Sequence, residues 1–183
     1  MKIEQTPLEG LRIIRPRVFK DDRGYFFESY RQDLLHDHGI AVNFVQENQS
    51  KSSYGVVRGL HYQRGKDAQG KLVRAVQGKI LDVVVDIRPE SKTYGQYFSI
   101  ELDDVEMLQL WVPAGFAHGF SVLSPKAIIQ YKCDNYYNPK AEGGIIWNDD
   151  DLNIDWKLGA ASVSLSDKDK KHPKFAQHTP IGI

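Results

Sequence analysis

Imidazole is the side chain that titrates nearest neutrality, so a histidine beside cations on an apolar strand is a candidate for proton transfer. The run Val56-Val-Arg58-Gly-Leu-His61-Tyr-Gln63 has that form. Arg58 and His61 stand three apart, and such residues face opposite sides of a regular strand. A bulge at Gly59 would bring both to one side. Lys71 and Arg74 repeat the spacing in Lys71-Leu-Val-Arg74, where a lone lysine at a strand start is ordinarily solvated. Further on, in Trp111-Val-Pro-Ala-Gly-Phe-Ala-His118-Gly-Phe, a strand ends at Pro113 and the chain turns at Gly115. His118 then opens the next strand, pointing to one face. Taken singly, these residues also read as a surface arginine, a solvated lysine and satisfied core histidines.

The remainder of the chain bounds what such groups could serve. It has 183 residues, with 24 basic and 24 acidic side chains and no formal net charge. A broad electrostatic footprint for nucleic acid or an anionic membrane is therefore not expected, and an anionic ligand must be caught by a few local cations. Hydrophobic residues at 41% and charged ones at 26% suit an ordinary globular protein. The single cysteine, Cys133, excludes an intrachain disulfide, and its alternating surroundings (Ile128 to Asp134) read as those of an unreactive thiol. The opening MKIEQTPLEG has no apolar run, which makes the cytoplasm the expected compartment. No window approaches a membrane span of about 18 apolar residues. The length fits one domain over 1–183, with an N-terminal extension over about 1–50 and a C-terminal segment over about 150–183.

The elements that must position these groups read as β-strands. Short β-branched or aromatic runs separated by turn residues predict strands at Leu11–Phe19, Tyr25–Ser29, Phe44–Ser50, Val56–Gln63 and Leu72–Val76. Five more are predicted at Lys79–Arg88, Tyr97–Leu102, Met107–Val112, Gly119–Leu123 and Ala127–Asp134. Gln77-Gly78 reads as a hairpin turn, and Asp103-Asp104 as another. Helix is expected only over Tyr30–His38, capped by Ser29, with a turn around Asp167–Lys171. The pattern predicts an all-β fold, a jelly-roll barrel with short peripheral helices. The PxGxxH spacing that ends at His118 resembles the second half-motif of cupins. The first half-motif would supply HxH, but Gly59-Leu-His61-Tyr-Gln63 has glutamine at the second place. The three-histidine cupin metal site therefore cannot be assembled, and no metal is expected.

Taken together and in order, the motifs are specific. Asp22-Arg-Gly-Tyr-Phe-Phe-Glu28, Phe44-Val-Gln-Glu-Asn-Gln-Ser50, Val57-Arg-Gly-Leu-His-Tyr-Gln63 and Gly70-Lys-Leu-Val-Arg74 come first. Val112-Pro-Ala-Gly-Phe-Ala-His-Gly119, Tyr131-Lys132 through Tyr137, and Leu165-Ser-Asp-Lys-Asp169 follow. From about residue 3 to 171 the chain resembles the dTDP-4-dehydrorhamnose 3,5-epimerase family. The resemblance implies a cofactor-free isomerase that inverts carbons 3 and 5 of dTDP-4-dehydro-6-deoxy-D-glucose. The implied product is dTDP-4-dehydro-L-rhamnose, a precursor of bacterial surface polysaccharide.

That chemistry has three physical requirements: a base near neutral pKa, a stabiliser for the enolate oxygen, and an acid on the opposite face of the sugar. The resemblance implies His61 as base, Asp169 as the carboxylate that orients it, Lys71 beside the enolate oxygen, and Tyr131 as the acid. It further implies Arg58 and His118 at the diphosphate, and Arg23, Glu28, Gln46 and Asn48 around the nucleotide. Lys168 and Glu142 fall near the sugar or phosphate, and Tyr137 on thymine; Glu47 lies within a matching stretch. A homodimer is also implied, in which Arg23 and Glu28 could serve the neighbouring subunit.

Three alternatives stay open at this point: a single-carbon epimerase or ketoisomerase of the same sugar class, a non-catalytic sugar-binding cupin, and a metal-dependent cupin enzyme. Asp149-Asp-Asp151 reads as a solvated turn, His36 and His38 as surface residues, and His172 and His178 as part of a polar tail. Trp111, Trp147 and Trp156 read as core or interface aromatics.

Overall fold

The computed structural model describes residues 1–182, folded as two facing antiparallel sheets. One sheet has six strands in the order β1 (Lys2–Gln5), β2 (Arg12–Arg15), β10 (Gln109–Val112), β7 (Lys71–Gln77), β12 (Lys126–Cys133) and β5 (Gln46–Ser53). The other has five: β13 (Glu142–Gly144), β6 (Val57–Gln63), β11 (Phe116–Val122), β8 (Lys79–Asp86) and β9 (Tyr97–Asp103). Strands β3 (Phe19–Asp21) and β4 (Gly24–Phe26) form a separate hairpin. The fold is thus the expected all-β jelly roll.

Alternation along the strands decides which side chains enter the space between the sheets. Val73 and Ala75 of β7, Ile129 of β12, Ile80 and Val84 of β8, and Phe116 and Phe120 of β11 share one buried cluster. Each such side chain contributes roughly 1.5–3 kcal/mol when it leaves water. The opposite face of the five-stranded sheet is covered too. Val57, Leu81, Val83 and Val85 pack there with Ile145, just after β13, and with Leu152, Trp156 and Ile181 of the C-terminal segment. With both faces buried, β8 reads as a nearly continuous apolar run, Ile80 to Val85, broken only by Asp82. Asp82 has a specific partner, described below.

The structure corrects several expectations. Gln77-Gly78 does not close a hairpin, because β7 and β8 belong to different sheets. Gly78, at φ +76°, carries the chain from one sheet to the other, and a Cβ there would lie 2.1 Å from Lys126 O. Asp103-Asp104 likewise joins β9 and β10 across sheets, with Asp103 Oδ1 accepting from Val105 N and Glu106 N. The helix is shorter than expected, α1 over Gln32–His36, and Arg31 at its N-cap makes no capping hydrogen bond, so Ser29 does not cap it. His118 lies in mid-strand instead of opening a strand, since β11 begins at Phe116. Strands β1 and β13 were not expected; they have only four and three residues, Lys-Ile-Glu-Gln and Glu-Gly-Gly, too few to carry a strand's periodicity.

Candidate active site

The bulge required at Gly59 is present. His118 pairs with His61 and Phe120 with Arg58, so β6 spends three steps where β11 spends two. Gly59 takes φ +119°, and a Cβ on it would lie 2.6 Å from Gly119 Cα. Only glycine suits that conformation and that approach. The result is that Arg58 and His61 line the same cavity of about 300 Å³, together with Lys71, His118, Tyr131, Tyr137, Glu142 and Lys168. A contiguous cavity of about 310 Å³ shares His61, Lys71, Tyr131, Tyr137 and Glu142, and adds Gln46 and Asn48.

This polar cavity is the open end of the sandwich. Lys71 precedes Val73 and Ala75 on the inward face of β7, which is why it is half-buried and lines the cavity. Tyr131 follows Ile129 on β12 by the same period, and Cys133 beyond it is the cross-strand partner of Lys71. His118 sits between Phe116 and Phe120 on β11. Its Nε2 lies 2.9–3.0 Å from both oxygens of the fully buried Asp82, which accounts for the carboxylate inside β8.

His61 meets Asp169, with Nε2 2.5 Å from Oδ1. Asp169 begins the 3₁₀ turn Asp169–Lys171, in the C-terminal segment that folds back over β6. Ser166 Oγ donates to the other carboxylate oxygen at 2.8 Å. With Asp169 ionised, His61 Nε2 carries a proton and donates it to the carboxylate, leaving Nδ1 as the free nitrogen. Burial lowers the His61 pKa from its ordinary 6.5, against the opposing pull of Asp169, with Lys71 and His172 adding to the lowering. Burial alone would raise the Asp169 carboxyl, but His172, His61 and Ser166 outweigh it and hold it well below the carboxylate range. Burial lowers Lys71 as well, opposed by Cys133, Asp82 and Glu142. It raises Tyr131, with Cys133 helping and Asn48 and Arg58 opposing. Cys133 itself is pushed up to about 11, chiefly by burial, in keeping with an unreactive thiol.

At the mouth, Tyr137 Oη donates to Glu142 Oε2 at 3.1 Å, and Lys168 Nζ pairs with Glu142 Oε1. Gln46 Oε1 accepts from Tyr137 N at 2.9 Å and Gln46 Nε2 donates to Asn48 Oδ1 at 3.2 Å. Arg58 Nε donates to Ser52 Oγ at 3.1 Å. Three of the expected residues lie elsewhere. Arg23 is on the β3–β4 hairpin, 90% exposed and paired with Asp21. Glu28 is exposed, its nearest cation being Arg31 at 3.9 Å. Glu47 faces away from the cavity, as alternation on β5 requires, and pairs with Lys132 at 2.8 Å. Sequence reasoning missed Asp82 and His172. The signal for His172 was its position three after Asp169, which places both on one side of a helical turn.

His61, Asp169 and His172 each offer one potential metal-ligand atom, all within 4.8 Å of one another. The set does not fit an ion as it stands. Zinc at about 2.0–2.2 Å from each ligand needs nitrogen and oxygen more than 3 Å apart, whereas His61 and Asp169 are in hydrogen-bond contact at 2.5 Å. Asp149 is buried, not solvated as expected, with Oδ1 accepting from Asp151 N and Leu152 N and Oδ2 from Phe175 N.

Residues 5–177 match the family described as dTDP-4-dehydrorhamnose 3,5-epimerase. A dTDP-4-dehydrorhamnose 3,5-epimerase of Salmonella typhimurium is 48% identical over 178 residues, which is 97% of each chain. Among solved structures, the dTDP-4-dehydrorhamnose 3,5-epimerase of Elizabethkingia anophelis superposes with a TM-score of 0.92 at 51% identity, covering 96% of this chain and 97% of that one. A dTDP-6-deoxy-D-glucose-3,5-epimerase of Legionella pneumophila, solved with dTDP-4-keto-L-rhamnose, gives 0.92 at 44%, covering 96% and 93%. With a family match over residues 5–177 and a relative 48% identical over nearly the whole chain, the chain belongs to the dTDP-4-dehydrorhamnose 3,5-epimerase family.

Proposed function

We propose that the chain inverts carbons 3 and 5 of dTDP-4-dehydro-6-deoxy-D-glucose through proton transfer between His61 and Tyr131. The observation that carries this reading is their placement. His61 stands on β6 of one sheet and Tyr131 on β12 of the other, on facing walls of one cavity that also holds Lys71. His61 Nδ1 takes the proton next to the ketone, and the electron pair moves onto the ketone oxygen as an enolate. The Lys71 ammonium stabilises that oxygen. Tyr131 Oη then gives its proton to the same carbon from the opposite face. His61 loses its proton to solvent and Tyr131 regains one, and the second carbon follows by the same steps.

Arg58 and His118 meet the diphosphate in this reading, Arg58 through its planar fork. Gln46, Asn48, Tyr137, Glu142 and Lys168 hold the nucleotide and sugar, and Lys168 releases Glu142 when phosphate arrives. The β3–β4 hairpin exposes Phe19 at 51%, Tyr25 at 58% and Phe26 at 66%. These aromatics beside Arg23 support a homodimer in which the hairpin brings Arg23 and Glu28 to the neighbour's cavity. No helix of the described residues is long and apolar enough to cross a membrane; the cytoplasm, where nucleotide sugars are made, is the proposed compartment.

Product analysis tests the reading. After incubation with the substrate, borohydride reduction and hydrolysis, L-rhamnose and 6-deoxy-L-talose are expected. Recovery of D-quinovose and D-fucose alone would overturn it, and 6-deoxyallose or 6-deoxygulose alone would reduce it to inversion at carbon 3.

A further inference from the structure

Asp169 Oδ1 faces two imidazoles. His61 Nε2 lies 2.5 Å from it, and His172 Nε2 approaches from 3.4 Å. The two rings are edge-to-face, with centroids 5.3 Å apart. His172 is 12% exposed, and its buried Nε2 makes no hydrogen bond, leaving the 3.4 Å approach to Asp169 Oδ1 as its nearest polar contact. Its seat is shaped by the backbone: a Cβ on Gly144 would stand 2.3–2.6 Å from three atoms of the His172 ring. Gly144 is itself the cross-strand partner of His61 on β13. A glycine beside the base thus leaves the room that the second imidazole fills.

We propose that His172 is a positioning residue of the catalytic base: seated over Gly144, it shares Asp169 Oδ1 with His61 and sets how strongly that carboxylate holds the catalytic ring. His172 does not line the cavity, so it acts on the base and its carboxylate and not on the sugar. A carboxylate that also faces His172 Nε2 at 3.4 Å divides its attraction between two rings, and the His61 imidazolium is then stabilised less. The base stays neutral, and so competent, to lower pH.

The charged and titratable groups around the pair come from every packed element. Asp169 and Lys168 lie on the C-terminal segment, Lys71 on β7, Glu142 on β13 and Tyr131 on β12. Of these, Asp169 is the group within ion-pair distance of both rings, at 2.5 Å from His61 and 3.4 Å from His172, and it links a change at His172 to His61 alongside the edge-to-face contact of the rings.

The inference rests on the proposed reaction only for its kinetic readout. Its primary test is the titration of the His61 imidazole, followed by nitrogen-proton NMR without substrate, in the wild type, His172→Leu and His172→Gln. Leucine fills the slot without a donor, whereas glutamine restores an N–H near Nε2. The expected result is that His61 titrates about one unit higher in the leucine variant and near its wild-type position in the glutamine variant. The acid limb of kcat should move up with it, roughly tenfold in rate at a fixed pH on that limb, with KM unchanged. An unmoved His61 titration in His172→Leu would overturn the proposal, as would a glutamine variant that behaves like leucine, which would mark simple packing. If the wild type fails to turn over the sugar, the function is wrong, yet the titration still decides the role of His172.

Discussion

Asp169 Oδ1 lies 2.5 Å from His61 Nε2, although the two residues stand 108 positions apart in the chain. The contact exists because the C-terminal segment packs Leu152, Trp156 and Ile181 against the outer face of the five-stranded sheet and returns over β6. An Asp169→Asn variant keeps the shape and removes the charge that stabilises His61 when it takes a proton. Steady-state kinetics should show kcat lower by about 10²–10⁴-fold with KM within a fewfold of wild type. A kcat within threefold of wild type would mean that the pair is not the catalytic base.

Tyr131 and His61 have separable tasks. In Tyr131→Phe the base remains, so hydrogen next to the ketone should still exchange with deuterated solvent. Inversion should fall sharply, because the opposite-face donor is gone. The ratio of exchange to inverted product, read by proton NMR, is therefore expected to rise well above its wild-type value. Equal loss of both would place Tyr131 in binding or packing instead.

Much of the site was legible because several signals agreed. Arg58 and His61 stand three apart on one strand, so only a bulge at Gly59 could bring both to one side, and the bulge is present. Lys71 and Tyr131 were reached through the family resemblance, since a lysine at a strand start reads as solvated; the structure places both at the cavity, in step with the side-chain period of β7 and β12. Sheet membership was less legible. Gln77-Gly78 has the chemistry of a hairpin turn, but a glycine that changes sheets needs the same positive φ. Partners distant in the chain were hidden as well: nothing local to Asp82 indicates His118 on the neighbouring strand, and nothing local to His172 indicates Gly144. Arg23 and Glu28 lie outside the single-chain cavity, which no reading of one chain's periodicity could have shown.

The pH profile follows from three shifts. His61 works as a base only when neutral, and burial holds its pKa below 6.5, so the acid limb should lie below that value. Lys71 must be charged to stabilise the enolate, and burial lowers it from 10.5. Tyr131 moves the other way, above 10.0, and stays protonated longer. The alkaline limb accordingly belongs to Lys71. Solvent exchange by Tyr131→Phe should keep that limb where the wild type has it, and its disappearance in the variant would assign it to the phenol.

Gly59 is a point where fold and site depend on one residue. Alanine there would meet Gly119 Cα at 2.6 Å and His118 O at 2.8 Å in a backbone conformation that disfavours side chains. Strain at such a position costs about 1–3 kcal/mol before any clash is relieved. Chemical denaturation of Gly59→Ala should show at least that loss. Activity should fall further than stability alone explains, since the bulge sets both Arg58 and His61. Wild-type stability and turnover in this variant would contradict the account of the bulge.

The most direct test of the central claim is proton NMR of dTDP-4-dehydro-6-deoxy-D-glucose in deuterated water, with the wild type and with His61→Asn. The account predicts deuterium at both carbons 3 and 5 with inverted configuration for the wild type, and no exchange above background for the variant. Exchange by His61→Asn at the wild-type rate, or none by a wild type shown to bind the nucleotide sugar, would contradict it.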